Sequence, residues 1–141
     1  YTASKTQLMI GLGISAISDS WYGFSQNVKT IKEYEQVLTQ DRIPVYRGHI
    51  LSEEDLILRR HILNLMCRFY TSWEDKSLQF PEAEEVKDRL LEMEKDGLIH
   101  ILDNAIEITD AGKPFVRNIC MAFDLRLQRN VPTTRIFSMT I

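Results

Sequence analysis

The stretch from Gly97 to Asp124 constrains the fold most. It reads GLIHILDNAIEITDAGKPFVRNICMAFD. A glycine stop is followed by two short alternating apolar runs around Asp103-Asn104, then by a run at helical spacing. Leu98, Ile99 and Ile101 face Ile106 and Ile108 across the turn dipeptide, which is a hairpin signal. Beyond Thr109, the residues Phe115, Val116, Ile119, Cys120, Phe123 and Leu127 recur as the stripe of one amphipathic helix.

A helix ending at Gly97 feeds this hairpin. Upstream, Pro81 opens that helix at its first turn, with Glu82, Glu84, Glu85 and Asp88 near its start and Val86, Leu90, Leu91 and Met93 facing inward. Helix, hairpin wing and helix outline a winged-helix module, an architecture that names no function by itself. A longer helix precedes it. Ser52 caps it ahead of the acidic turn Glu53, Glu54 and Asp55, and its apolar face from Leu56 to Trp73 predicts one continuous helix. His61, without a ligand-spaced partner, reads as a surface histidine, and Arg59, Arg60 and Arg68 as a solvated face. The tail after Asn130 reads as extended.

The first 48 residues read differently. Leu8, Met9 and Ile10 form a short apolar run ended by Gly11-Leu12-Gly13, as in a parallel-sheet strand that meets a ligand loop; a tight turn is the plainer alternative. No other βα pattern accompanies it, so its sheet partners are not expected in this sequence. Trp21, Tyr22 and Phe24 are expected to pack under a loop. A helix is predicted over 28–40, with Lys29 and Glu33 as an i,i+4 pair, and Val45-Tyr46-Arg47 as a short strand or extended link.

At 141 residues the chain supports one domain with an additional arm. No apolar run approaches the roughly 20 residues of a membrane span, and no signal-peptide pattern is read, so no membrane partner and a cytoplasmic location are expected. A net charge of −3 argues against a nucleic-acid partner, which usually needs a basic face. Cys67 and Cys120 lie on apolar helix faces and read as buried thiols; no ligands at short spacing accompany them.

Four stretches together resemble one family. GLGISAIS at 11–18 followed by SQN at 25–27, RGHILSEEDLILRRHILNLMC at 47–67, DGLIHI with ITDAGKPFVRNICMAFD at 108–124, and IFSMTI at 136–141 are similar, in that order, to the last part of oxygen-independent coproporphyrinogen III oxidases. The family more often has arginine where Met139 stands. Tyr1-Thr2 resembles a pair placed just before the family's final barrel strand. The resemblance implies an enzyme that converts coproporphyrinogen III to protoporphyrinogen IX without oxygen, using S-adenosylmethionine and a four-iron four-sulfur cluster held by a CxxxCxxC motif. That motif is absent here. The chain is therefore expected to be a fragment, inactive alone, with no cofactor bound to it.

The fold class expected is mainly α with a small β-hairpin. A winged-helix-like domain over 49–130 is preceded by an arm, 1–48, that contains the last strand of a truncated (β/α) barrel, and is followed by a tail over 131–141. The resemblance places Ile17, in the SAIS segment, against S-adenosylmethionine, with Gly11 and Gly13 giving room. Arg47 and Arg117 are candidates for substrate carboxylates, with structural ion pairs as the equal alternative. The partners implied are the missing N-terminal barrel and the porphyrinogen substrate, and an orphaned arm is expected to seek cover, including in a dimer. A winged-helix DNA-binding regulator is the rival from another class, opposed by the acidic helix before the wing. A haem-chaperone relative of the same family is a third reading.

Overall fold

The computed structural model describes residues 8–129. The expectations for Tyr1-Thr2 and for the tail over 131–141 lie outside them. The chain divides into two compact units within the first turns of one helix, between Leu56 and Ile57.

The unit from Ile57 onward is built on a helix, a three-stranded antiparallel sheet and further short helices. Helix α2, Glu53–Arg68, starts as the sequence predicts. Ser52 and Asp55 cap it reciprocally: the Asp55 amide donates to Ser52 Oγ at 3.2 Å, and the Ser52 amide donates to Asp55 Oδ2 at 2.8 Å. Helix α3, Ala83–Lys95, ends as expected at Gly97. Gly97 has φ +71, and the Leu98 amide reaches the Met93 carbonyl while the Gly97 amide reaches that of Glu94, both at 2.9 Å. These two bonds form a Schellman stop, which needs the left-handed residue that glycine supplies cheaply. Strands β6, Ile99–Leu102, and β7, Ala105–Ile108, form the predicted hairpin, with Ile99 opposite Ile108 and Ile101 opposite Ile106.

Four expectations for this unit are corrected. The helix expected to run to Trp73 stops at Arg68, because Phe69 takes a left-handed φ of +59. The chain then enters a third strand, β5, Tyr70–Ser72, which pairs with β7 to give the order β5-β7-β6. This turn carries Trp73 into the core. His61 is not on the surface but fully buried, ringed by Trp73, Phe80 and Phe123 at centroid distances of 5.1–6.0 Å. The final amphipathic stripe is not one helix: a single 3-10 turn at Lys113–Phe115 leads into α4, Val116–Met121, and then α5, Leu125–Arg129. Asp124 starts α5, its Oδ1 accepting from the Leu127 amide at 3.0 Å. The core holds Leu65, Val86, Leu90, Ile99, Ile106, Ile119, Phe123 and Leu125, all essentially without exposure. Leu91, expected to face inward, is exposed. Gly112 is required by close approach: a Cβ there would collide with the Leu98 carbonyl.

The unit over 8–56 is a four-stranded antiparallel sheet in the order β1-β2-β3-β4. The strands are β1, Leu8–Met9, β2, Ile17–Ser20, β3, Gly23–Asn27, and β4, Val45–Ile50. The run at Leu8 therefore has a partner in the chain, and the pairing is antiparallel: Leu8 lies opposite Ser20 and Met9 opposite Asp19. The expected orphan strand is corrected on this point, because the segment read as loop folds back as a hairpin. The mainly α expectation understates the β content for the same reason. Tyr22 and Phe24 are exposed rather than packed under a loop, since the hairpin tip and one sheet face carry them outward. Helix α1, Ile31–Leu38, begins at the Thr30 cap, whose Oγ1 accepts from the Glu33 amide at 3.3 Å and donates to Glu33 Oε2 at 2.7 Å. Lys29 precedes the helix and lies 5.6 Å from the Tyr46 ring centre instead of pairing with Glu33. No described helix is long and apolar enough to cross a membrane.

Candidate functional site

Ile17 opens β2 and sits opposite Gln26 of β3, which in turn sits opposite Arg47 of β4. Side chains two apart on a strand share a face, so Asp19, Phe24 and His49 form the next row of that face. Ile17, Phe24, Gln26, Arg47 and His49 line an open depression of about 470 Å³. Ile17 is 53% exposed and Phe24 38%.

The polar groups around the depression are held in place. Arg47 Nε donates to Gln26 Oε1 at 2.9 Å, and Gln26 Nε2 donates to the Ser15 carbonyl at 3.2 Å. His49 Nε2 lies 3.7 Å from Asp55 Oδ2, the same oxygen that accepts from Ser52.

The glycine loop beside Ile17 is secured by Asn27, which is buried at the end of β3. Asn27 Nδ2 donates to the Gly11 carbonyl at 3.1 Å and to that of Gly13 at 2.9 Å. The Gly11 amide donates to Ser18 Oγ and the Gly13 amide to the Tyr34 hydroxyl, each at 3.1 Å. The room that Gly11 provides is taken by the chain itself: a Cβ there would stand 2.6 Å from the Ile17 carbonyl oxygen. Gly13, at φ +96, has open space around its missing Cβ. The loop is therefore a tied turn that fixes where Ile17 leaves the backbone.

The structure brings Ile17 and Arg47 onto one sheet face. Arg117 is exposed on α4, in the other unit. Among the described residues no group of three His, Cys, Asp or Glu could hold a metal ion. Cys120 is buried, with its thiol pushed up to about 12 by desolvation, so it stays protonated and is a poor ligand. Cys67 is half-buried on α2. These donors do not fit an iron–sulfur cluster. Sequence reasoning singled out Ile17 and Arg47 separately but missed that Gln26 joins them. The alternation of Arg47 and His49 about Gly48 was the available signal, since it marks one face of a strand.

No family model matches the chain. The oxygen-independent coproporphyrinogen III oxidases of Salmonella typhimurium and Escherichia coli are each 35% identical over 135 residues, covering 92% of this chain and 29% of theirs. That of Synechocystis is 32% identical, covering 100% of this chain and 32% of its own. A solved structure of coproporphyrinogen III oxidase from Escherichia coli, described as a radical SAM enzyme, superposes with a TM-score of 0.79 at 32% identity, covering 90% of this chain and 30% of that one. The fold and sequence thus define the chain as a homologue of part of a radical SAM enzyme. The relatives it resembles are oxygen-independent coproporphyrinogen III oxidases, and it spans about 30% of their length.

Proposed function

We propose that the chain is the C-terminal part of an oxygen-independent coproporphyrinogen III oxidase. The whole enzyme converts coproporphyrinogen III to protoporphyrinogen IX, two propionate side chains losing carbon dioxide to become vinyl groups. S-adenosylmethionine and a four-iron four-sulfur cluster supply the hydrogen-abstracting chemistry, and the cluster's ligands belong to an upstream barrel, because the donors here do not fit it. In this reading the run at Leu8–Met9 belongs to the last barrel strand. The helix, hairpin and helix around β6 and β7 serve as a winged-helix-like cover over the barrel mouth, and Ile17 packs beside the adenosyl group. The location is cytoplasmic, and the chain alone is inactive.

One observation carries this reading: identity of 35% sustained over 92% of the chain. The exposed apolar side chains of residues 8–50 support it, since they form a surface suited to being covered by the rest of such an enzyme; without that part, two copies would cover each other. The test is a chimera in which this chain replaces the matching stretch of the Escherichia coli relative. Anaerobic conversion of coproporphyrinogen III is expected. A folded chimera that carries its cluster and cleaves S-adenosylmethionine but yields no protoporphyrinogen overturns the proposal. In an active chimera, Ile17→Ala is expected to weaken S-adenosylmethionine binding about tenfold, which corresponds to roughly 1.4 kcal/mol of lost apolar contact.

A further inference from the structure

We infer that the depression on the four-stranded sheet is a carboxylate-binding site, with Arg47 as its anchor and Ile17 and Phe24 as an apolar shelf. The Arg47 guanidinium is fixed on one side by its Nε bond to Gln26, and Gln26 is itself fixed by its bond to the Ser15 carbonyl. Arg47 has no ion pair among the described residues, so its two terminal nitrogens present an unoccupied fork. A fork of this kind matches the two oxygens of a carboxylate with two parallel hydrogen bonds, and its prior orientation lowers the entropy lost on binding. A phosphate site would draw on a nest of free backbone amides or a helix start. Here the central strand β3 is paired on both sides and no helix start lines the depression.

The charges around the fork agree with this. His49 already leans on Asp55. Asp19 shares the sheet face but does not line the depression, and it lies opposite Phe24 rather than Arg47. The volume of about 470 Å³ falls in the range of small-molecule sites, which pair an apolar wall with a few placed polar groups. The ligand class is a carboxylate carried on an apolar or ring-bearing body. Under the proposed function, on which the naming of sources rests, two ligands carry such a group: the propionate of a porphyrinogen and the amino-acid carboxylate of S-adenosylmethionine.

The test uses the 141-residue chain, labelled with nitrogen-15, and four probes: coproporphyrin III, its tetramethyl ester, S-adenosylmethionine, and decarboxylated S-adenosylmethionine. Perturbation of the amides of Ile17, Phe24, Gln26 and Arg47 by coproporphyrin III but not by its ester supports the site and assigns it to a propionate. Perturbation by S-adenosylmethionine but not by its decarboxylated form supports it and assigns the amino-acid carboxylate. Arg47→Met, which keeps the length of the stem, is expected to raise the Kd of the binding probe about 10- to 100-fold, with Arg47→Lys intermediate. Spectra of both variants outside the sheet face should match the parent, which separates lost binding from lost fold. The inference is overturned if neither carboxylate probe perturbs these residues, if ester or decarboxylated probe binds equally well, or if Arg47→Met binds unchanged. None of those results affects the chimera's activity, so the proposed function stands or falls separately.

Discussion

The two units solve the same problem in opposite ways. Among the described residues, the fifteen buried hydrophobic side chains of the core lie at Leu58 or beyond, whereas fourteen of the nineteen exposed large apolar residues lie between Leu8 and Ile50. Residues 57–129 carry a closed core of their own. Residues 8–56 are held by a hydrogen-bonded ladder, two caps and the Asn27 bridge, and every residue of β4 is exposed. A small sheet whose apolar side chains are largely exposed is marginal in water. The difference teaches that the first unit is specified by burial and the second by backbone pairing, with its apolar side chains held in reserve for something that covers them.

The comparison breaks most readily at Phe123, which is fully buried against His61 and Phe80. Phe123→Ala is expected to cost about 3–5 kcal/mol in urea unfolding followed by circular dichroism; a loss near zero would mean that the core is not closed. Next comes acid. His61 Nε2 must donate to the Leu78 carbonyl at 2.8 Å, and in the neutral ring that burial favours, Nδ1 accepts from the Thr71 hydroxyl at 2.7 Å. Burial holds its pKa below the ordinary 6.5. The unfolded chain then takes up a proton that the folded chain refuses, so stability is full above pH 6.5 and falls as pH drops below it. Thermal melts from pH 7.5 to 5 should show this fall, and His61→Gln should flatten it. Third, Gly97→Ala is expected to cost about 1 kcal/mol through its positive φ. Smallest are Leu12→Ser and Ile50→Ser, at positions more than four-fifths exposed, which should change stability by less than about 0.5 kcal/mol. They should also reduce any concentration-dependent self-association seen by analytical ultracentrifugation. A large destabilisation from either would show that the sheet has a hidden core.

The legible parts of the fold are those with local chemistry. Gly97, the Ser52 cap and the alternation about Asp103-Asn104 each announce an element in a few residues. The end of α2 was hidden because Phe69 takes a left-handed turn without the glycine or asparagine that usually marks one. The break before α5 had a mark, Asp124, masked by an apolar stripe that continues through it to Leu127. The sheet of residues 8–56 was least legible. Its β2 reads ISDS, and a strand without a buried apolar face has no reason to alternate. Ile17 was reached through resemblance to relatives, while the link between Gln26 and Arg47 depends on a register that closes across 21 residues and a helix.

Cys120 gives the molecule a practical asymmetry. With its sulfur kept in the thiol form far above neutral pH, alkylating dyes at pH 8 should find at most one site on the native chain, at Cys67, and a second only after denaturant is added. The unmodified protein thus contains its own unfolding reporter, read by mass as a step from at most one adduct to two.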